Sequence, residues 1–190
     1  VLEKTKENTG KHFNMEHKKF KHSLDKHDCH EIGFSAEVIF KKLAEEKGYS
    51  VRVAGREEQF SHVDFILTKG KDEWKVDVKG AKRKKRTDDL VDYSIVWLEF
   101  KNGNGGEGWL VKENGATNIA FELETEFVIV SRKDLLKLAK KLCNLEKMVT
   151  QSKNALYCGY KRFGRRDLLS IIKTEDLLTI KHSKWPKITN

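Results

Sequence analysis

The chain has 190 residues, a net charge of +9 and a single proline, which fits one well-filled domain with tails and leaves no Pro-rich linker. No apolar run approaches the roughly 20 residues of a membrane span, and no basic stretch leads into an apolar segment as in a secretion signal. Cys29, Cys143 and Cys158 lie far apart with no CxxC pair, so a disulfide framework and a zinc knuckle are excluded and reduced thiols in a cytoplasmic protein are expected.

Residues 1–28 are rich in Lys and His and read as a basic arm. Residues 34–47 carry apolar Phe34, Val38, Ile39, Phe40, Leu43 and Ala44 at helical spacing, with Ser35 as a cap and Gly48 as a stop. Residues 50–54 read as a strand. Val63, Phe65 and Leu67 alternate with His62, Asp64 and Ile66, and after the turn around Gly70, Trp74, Val76 and Val78 alternate with Lys75, Asp77 and Lys79. This is the pattern of a hairpin. Residues 94–101 form another strand signal, with Val96, Leu98 and Phe100 in one phase and Ile95, Trp97 and Glu99 in the other. A Gly-rich loop covers 102–108. Short strands are expected at 109–111, 119–123 and 127–130, then a helix at 132–146 capped by Ser131. A basic-aromatic loop at 157–166, a strand at 168–172 and a helix at 174–180 precede a tail at 183–190. A helix, then strands, then a helix predict an α/β domain over 29–182, with a central mixed β-sheet flanked by helices.

Five Asp/Glu-x-Lys triplets occur, so the triplet alone carries no information. Asp77 and Lys79 differ from the rest by context. Two residues apart in a strand, they share one face, while Val76 and Val78 point to the other. If the two preceding strands pair, Asp64 and Asp77 converge. Two carboxylates with a backbone carbonyl suit Mg²⁺, and a lysine beside the cation can orient a water and stabilise charge on a phosphate. Glu37 falls on the apolar stripe of the first helix, where an unpaired carboxylate is costly, and is expected to aim at the same site, with Glu31 and Glu58 as rivals.

The order Glu37, then His62-Val63-Asp64-Phe65, then Val76-Asp77-Val78-Lys79-Gly80 resembles the PD-(D/E)xK nuclease superfamily, to which restriction enzymes and Holliday-junction resolvases belong. The resemblance covers residues 34–101; the segments 97–102, 108–110, 119–122 and 127–130 are similar to phage-encoded members. Val63 stands where the family has proline. The resemblance implies a restriction endonuclease-like core and metal-dependent phosphodiester hydrolysis. It makes Asp64, Asp77 and Glu37 the ligands of Mg²⁺, for which Mn²⁺ substitutes, and Lys79 the catalytic lysine. For a phage-encoded member the compartment is the host cytoplasm.

Around that core, His62, Gln59, Glu99 and Lys101 are candidates for supporting the site. Residues 79–86 hold six basic side chains in eight positions, and Lys82, Arg83, Lys84, Lys85 and Arg86 are expected to contact phosphates. Lys161, Arg162, Arg165 and Arg166, interleaved with Tyr157, Tyr160 and Phe163, suit backbone contact and base stacking. Trp97 and Trp109 are expected in the core. The expected partner is DNA, and cutting both strands calls for two sites, hence a homodimer. The alternatives are a nucleic-acid-binding module without catalysis and an RNA-directed nuclease.

Overall fold

A computed structural model describes residues 28–83 and 90–187, with side chains of the first helix from Ser35 onward. Helix α1 (Asp28–Glu46) starts earlier than the apolar spacing suggests. Ala36, Phe40, Leu43 and Ala44 form its buried stripe, as a 3.6-residue period demands. It ends in a Schellman turn: Gly48 takes φ 79, Gly48 N–H donates to Glu45 O at 2.9 Å and Tyr49 N–H to Ala44 O at 3.0 Å.

The strands β1 (Ser50–Val53), β2 (Phe65–Lys69) and β3 (Asp72–Lys79) follow, with a short helix α2 (Arg56–Phe60) between the first two. β2 and β3 pair antiparallel through a two-residue turn whose positive φ of 62 falls on Gly70. After β4 (Ile95–Lys101) come β5 (Asn118–Glu122), β6 (Glu126–Ser131) and helix α3 (Arg132–Leu142). The chain closes with β7 (Asn144–Val149), β8 (Cys158–Tyr160), β9 (Leu168–Lys173), a one-turn helix α4 (Thr174–Leu177) and β10 (His182–Pro186).

The domain is α/β. A six-stranded mixed sheet runs in the order β1-β2-β3-β5-β6-β10, and a second sheet runs β4-β9-β8-β7. The parallel pair β3·β5 makes the first sheet mixed. Helix α1 covers one face of it: Ala36, Phe40, Leu43 and Ala44 cluster with Phe65, Leu67, Val76, Val78, Ala120, Phe127, Ile129 and Trp185. The other face packs Ile66, Ile119, Phe121, Val128 and Val130 against Val96, Leu98 and Phe100 of β4, Ile172 of β9, and Leu135 and Ala139 of α3. Among the described residues no helix is long and apolar enough to cross a membrane.

Several expectations need correction. β4 leaves the hairpin sheet and pairs with β9, while β5 takes the place beside β3. Residues 109–111 form a turn in which Val111 and Lys112 N–H donate to Gly108 O at 3.2 and 3.1 Å. The helix from 132 stops at Leu142 and the chain continues as β7. The tail expected from 183 supplies β10, which pairs with β6 and buries Trp185. The basic arm before residue 28 lies outside the described residues.

Candidate metal and phosphate site

The hairpin register pairs Phe65 with Val76 and Lys69 with Asp72. Just before β2 the register slips by one residue, since Asp64 N–H donates to Val76 O at 2.9 Å, and the side chains of Asp64 and Asp77 come within hydrogen-bonding reach of each other. Val76 and Val78 belong to the α1 face, which fixes Asp77 and Lys79 on the other. Asp77 is only 3% exposed, whereas Asp64 and Lys79 are half-buried. Asp77 is the floor of the site and the other two line its mouth.

Two bonds organise the carboxylates. Asp64 Oδ2 accepts the Val78 N–H at 2.7 Å. Asp77 Oδ1 accepts from Lys79 Nζ at 2.6 Å. The second oxygen of Asp77, Oδ2, is buried and takes no N–H or hydroxyl; the hydrogen-bonding group beside Asp77 is the Asp64 carboxyl, which donates only in its protonated form. An ionised oxygen left this way costs roughly 1–3 kcal/mol or more. Burial, and next the charge of Asp77, push the Asp64 carboxyl up to about 7. Burial also pushes Asp77 up, against the pull of the Lys79 ammonium. The chain alone therefore holds two carboxylates that both resist ionisation, although Lys79, and more weakly Lys82, offset them. A divalent cation relieves both burdens.

The ring of Trp109 lies under the Lys79 ammonium, 5.1 Å from Nζ to the centroid, and packs edge-on to Phe121. Trp109 sits in the 108–116 loop, which Gly108 lets approach β4: a Cβ there would stand 2.4 Å from Glu99 O. The loop is clamped by Arg132, only 6% exposed. Its Nε donates to Ala116 O at 2.8 Å, Nη1 to Leu110 O at 2.9 Å and Nη2 to Glu113 O at 3.4 Å. A guanidinium buried on three carbonyls serves geometry rather than charge pairing. Gly115 presses against Ser61 O, 2.7 Å from where its Cβ would be, so the same loop touches the segment carrying His62 and Asp64. Reading the sequence missed both Arg132 and this use of Trp109. The only signal for Arg132 was a charged residue just after the Ser131 cap, which also describes an ordinary surface position.

His62 has φ 57, a left-handed conformation uncommon outside glycine. Burial lowers its pKa, helped by the charges of Lys79 and Lys112 and opposed by Glu99. The charges of Lys79, Glu99 and Lys112 thus all reach His62, and burial with the two lysines favours its neutral form. Glu99 lies near enough to His62 for its charge to act there. Lys101 is exposed and bridges to Glu107 in the Gly-rich loop.

The remaining candidates go elsewhere. Gln59 donates to Ala54 O at 3.1 Å and braces the end of β1. Glu58 takes a bidentate pair from Arg52, at 2.8 Å twice, and the Gly55 N–H at 2.7 Å, which together hold its carboxyl down at about 2. It caps α2. Glu37 is half-buried beside the α1 stripe, and the sheet stands between that stripe and Asp77. Among the described residues no three His, Cys, Asp or Glu side chains gather closely enough to hold a metal. Glu37 is therefore not brought to Asp64 and Asp77, and the side chain of Glu31 lies outside those described. Lys82 is the exception: exposed, it lies near enough to Asp77 for its charge to act there; Arg83 is half-buried, and Lys84, Lys85 and Arg86 fall outside the described residues. Arg162 is committed to the buried Asp167, whose carboxylate accepts both its Nε and its backbone N–H. Lys161 and Arg166 are exposed, Arg165 half-buried.

Comparison of the chain with models of known protein families, with curated proteins and with solved structures gives no match.

Proposed function

We propose that the protein is a Mg²⁺-dependent DNA endonuclease acting through a PD-(D/E)xK site on a restriction endonuclease-like core. One observation carries the reading: Asp77 Oδ2, buried, on the same face as Lys79, and faced by a second carboxylate, Asp64, with no N–H or hydroxyl to satisfy it once both ionise. A surface ion pair has no reason to keep such an atom, whereas a cation site needs one. Mg²⁺ is commonly held by one or two carboxylates with water in the other positions, so Asp64 and Asp77 suffice without Glu37. Mn²⁺ fits the same oxygens.

A cation there supplies positive charge to a scissile phosphate and acidity to a nearby water. The chain's own contributions follow from its contacts. Asp77 and Lys79 are held rigid by burial and by each other. Lys79, backed by the Trp109 ring, is placed to donate to a phosphate oxygen as negative charge grows on it, or to hold the attacking water. The water adds to phosphorus opposite the leaving sugar oxygen, whose bond to phosphorus breaks as it takes up a proton. His62, its neutral form favoured by burial, is a group able to move that proton. The +9 charge draws in the DNA without reading its sequence.

The test is incubation of plasmid and branched DNA with Mg²⁺, with Asp77→Ala alongside. Nicking by the wild type and none by the variant is expected; full cleavage by the variant overturns the assignment. A second reading, a nucleic-acid-binding module without catalysis, is favoured by the lack of a third metal-ligating side chain among the described residues. It wins if calorimetry finds no Mg²⁺ or Mn²⁺ binding at millimolar concentration while DNA binding persists with a steep salt slope.

A further inference from the structure

Outside the carboxylate site, the sharpest feature of the surface is the 161–167 loop. Residues 162–165 form a β-turn closed by Arg165 N–H donating to Arg162 O at 3.1 Å. Gly164, third in the turn, takes φ 70, as a type II turn requires. Phe163, second in the turn, is left at the apex with 106% relative exposure. It makes no ring contact among the described residues, unlike the other strongly exposed phenylalanine, Phe60, which the Arg56 guanidinium covers at 5.6 Å.

The loop is built rather than slack. Its base is nailed by Asp167, 2% exposed, which takes both bonds from Arg162. Its far side is seated on the Gly-rich loop: Arg166 N–H donates to Gly103 O at 3.2 Å. A Cβ on Gly103 would lie 3.3 Å from Arg165 Nη1, and one on Gly105 3.2 Å from Arg166 Cβ, so those glycines make room for the arginines. Single exposed apolar residues are ordinary on protein surfaces. A phenyl ring raised on a pinned turn, with exposed Lys161 and Arg166 on either side of it, is a different arrangement. Those two cations make no ion pair among the described residues. The loop also runs into β9, where Leu168 pairs with Lys101 and Leu169 with Glu99. The base of the loop is thus about 7 Å along β9, two residues at about 3.3 Å each, from Leu169, which pairs with Glu99, the residue whose charge reaches His62.

We propose that Phe163 is a stacking platform for an unpaired base, with Lys161 and Arg166 holding the flanking phosphates, so that the chain engages DNA with a single-stranded segment next to the cleavage site. An aromatic face accepts any base but only one that is out of the duplex stack, and neighbouring cations track the backbone. This rests on the reading of DNA as the substrate and narrows it to DNA carrying an unpaired stretch, such as a flap, a bubble or a branched junction.

The experiment measures the affinity of the full chain for a fluorescent single-stranded oligonucleotide and for a blunt duplex of the same sequence. It is run in EDTA so that nothing is cut, with wild type, Phe163→Ala, Phe163→Trp and Lys161→Gln. Phe163→Ala is expected to weaken single-strand binding about tenfold, to leave duplex binding and the salt slope unchanged, and to abolish quenching of a 2-aminopurine placed in the strand. Phe163→Trp is expected to keep both affinity and quenching. Lys161→Gln is expected to flatten the single-strand salt slope by about 0.7. Unchanged single-strand affinity in Phe163→Ala, or equal loss on both DNAs, overturns the proposal. Cleavage by wild type with Mg²⁺ is scored separately. Phe163-dependent single-strand binding without cleavage defeats the nuclease reading alone, and Mg²⁺-dependent cleavage with binding indifferent to Phe163 defeats this one alone.

Discussion

The two faces of the six-stranded sheet obey opposite rules. Under α1, Phe40 stacks on Trp185 at 5.3 Å and meets Phe127 edge-on at 5.4 Å, and every buried residue of that cluster is apolar. On the other face the same strands bury Asp77 and set Asp64 at its side, and a guanidinium from α3 is buried on the carbonyls of the loop that carries Trp109. Packing alone accounts for the first face. The second keeps polar groups where apolar ones would be more stable, and it does so around one spot. The difference separates the part of the molecule that holds the fold from the part that the fold exists to hold.

Breaking each face should therefore have opposite consequences. The largest effect is on activity: Lys79→Ala should lower Mg²⁺-dependent cleavage by on the order of 10²–10³-fold, the scale of one preorganised charge-stabilising donor, in single-turnover assays. Next comes Arg132→Met, which frees three loop carbonyls and lets Trp109 and Lys79 drift. Small misplacements of this kind cost about 10²-fold, and the loss should appear in kcat more than in KM. In stability, Phe40→Ala should cost about 3–5 kcal/mol in urea unfolding. The double change Asp77→Val with Lys79→Met should instead be neutral or stabilising by about 1–4 kcal/mol, as for other buried ion pairs replaced by apolar residues, while abolishing cleavage. If that double variant unfolds as readily as Phe40→Ala, the two faces do not differ in kind.

The smallest effect is on pH dependence. Asp64 titrates near 7 in the folded chain and near about 4 when unfolded. Between those values the native state holds a proton that the unfolded state has released, so stability falls as pH rises through this window and levels off above it. Asp64→Asn should flatten that slope in metal-free urea titrations from pH 4 to 8, leaving only what the raised Asp77 carboxyl contributes.

The convergence of Asp64 and Asp77 was legible in the sequence because strand phase is local: alternation with Val63, Phe65, Val76 and Val78 sets which side each carboxylate takes. The α/β class, the C-terminal end of α1 and the N-terminal end of α3 were legible through equally local signals, Gly48 and Ser131 for the two helix ends. The partner of β4 was not. Val96, Leu98 and Phe100 present the same apolar phase whether they extend the first sheet or face it from a second, and the choice depends on β9, far along the chain. Glu37 lies on a helical stripe that the sequence placed well, yet no periodicity says which face of a sheet the helix will cover. Arg132 was invisible because the carbonyls that need it exist only once the 108–116 loop has turned.

The most direct test of the account is calorimetric titration of Mn²⁺ into the metal-free chain at pH 8, comparing wild type with Asp77→Asn and Asp64→Asn. One saturable site in the wild type, lost or weakened by about 10–100-fold or more in each variant, is the predicted result. Identical heats in all three, or none in the wild type, would contradict the claim that the polar face is built around a cation.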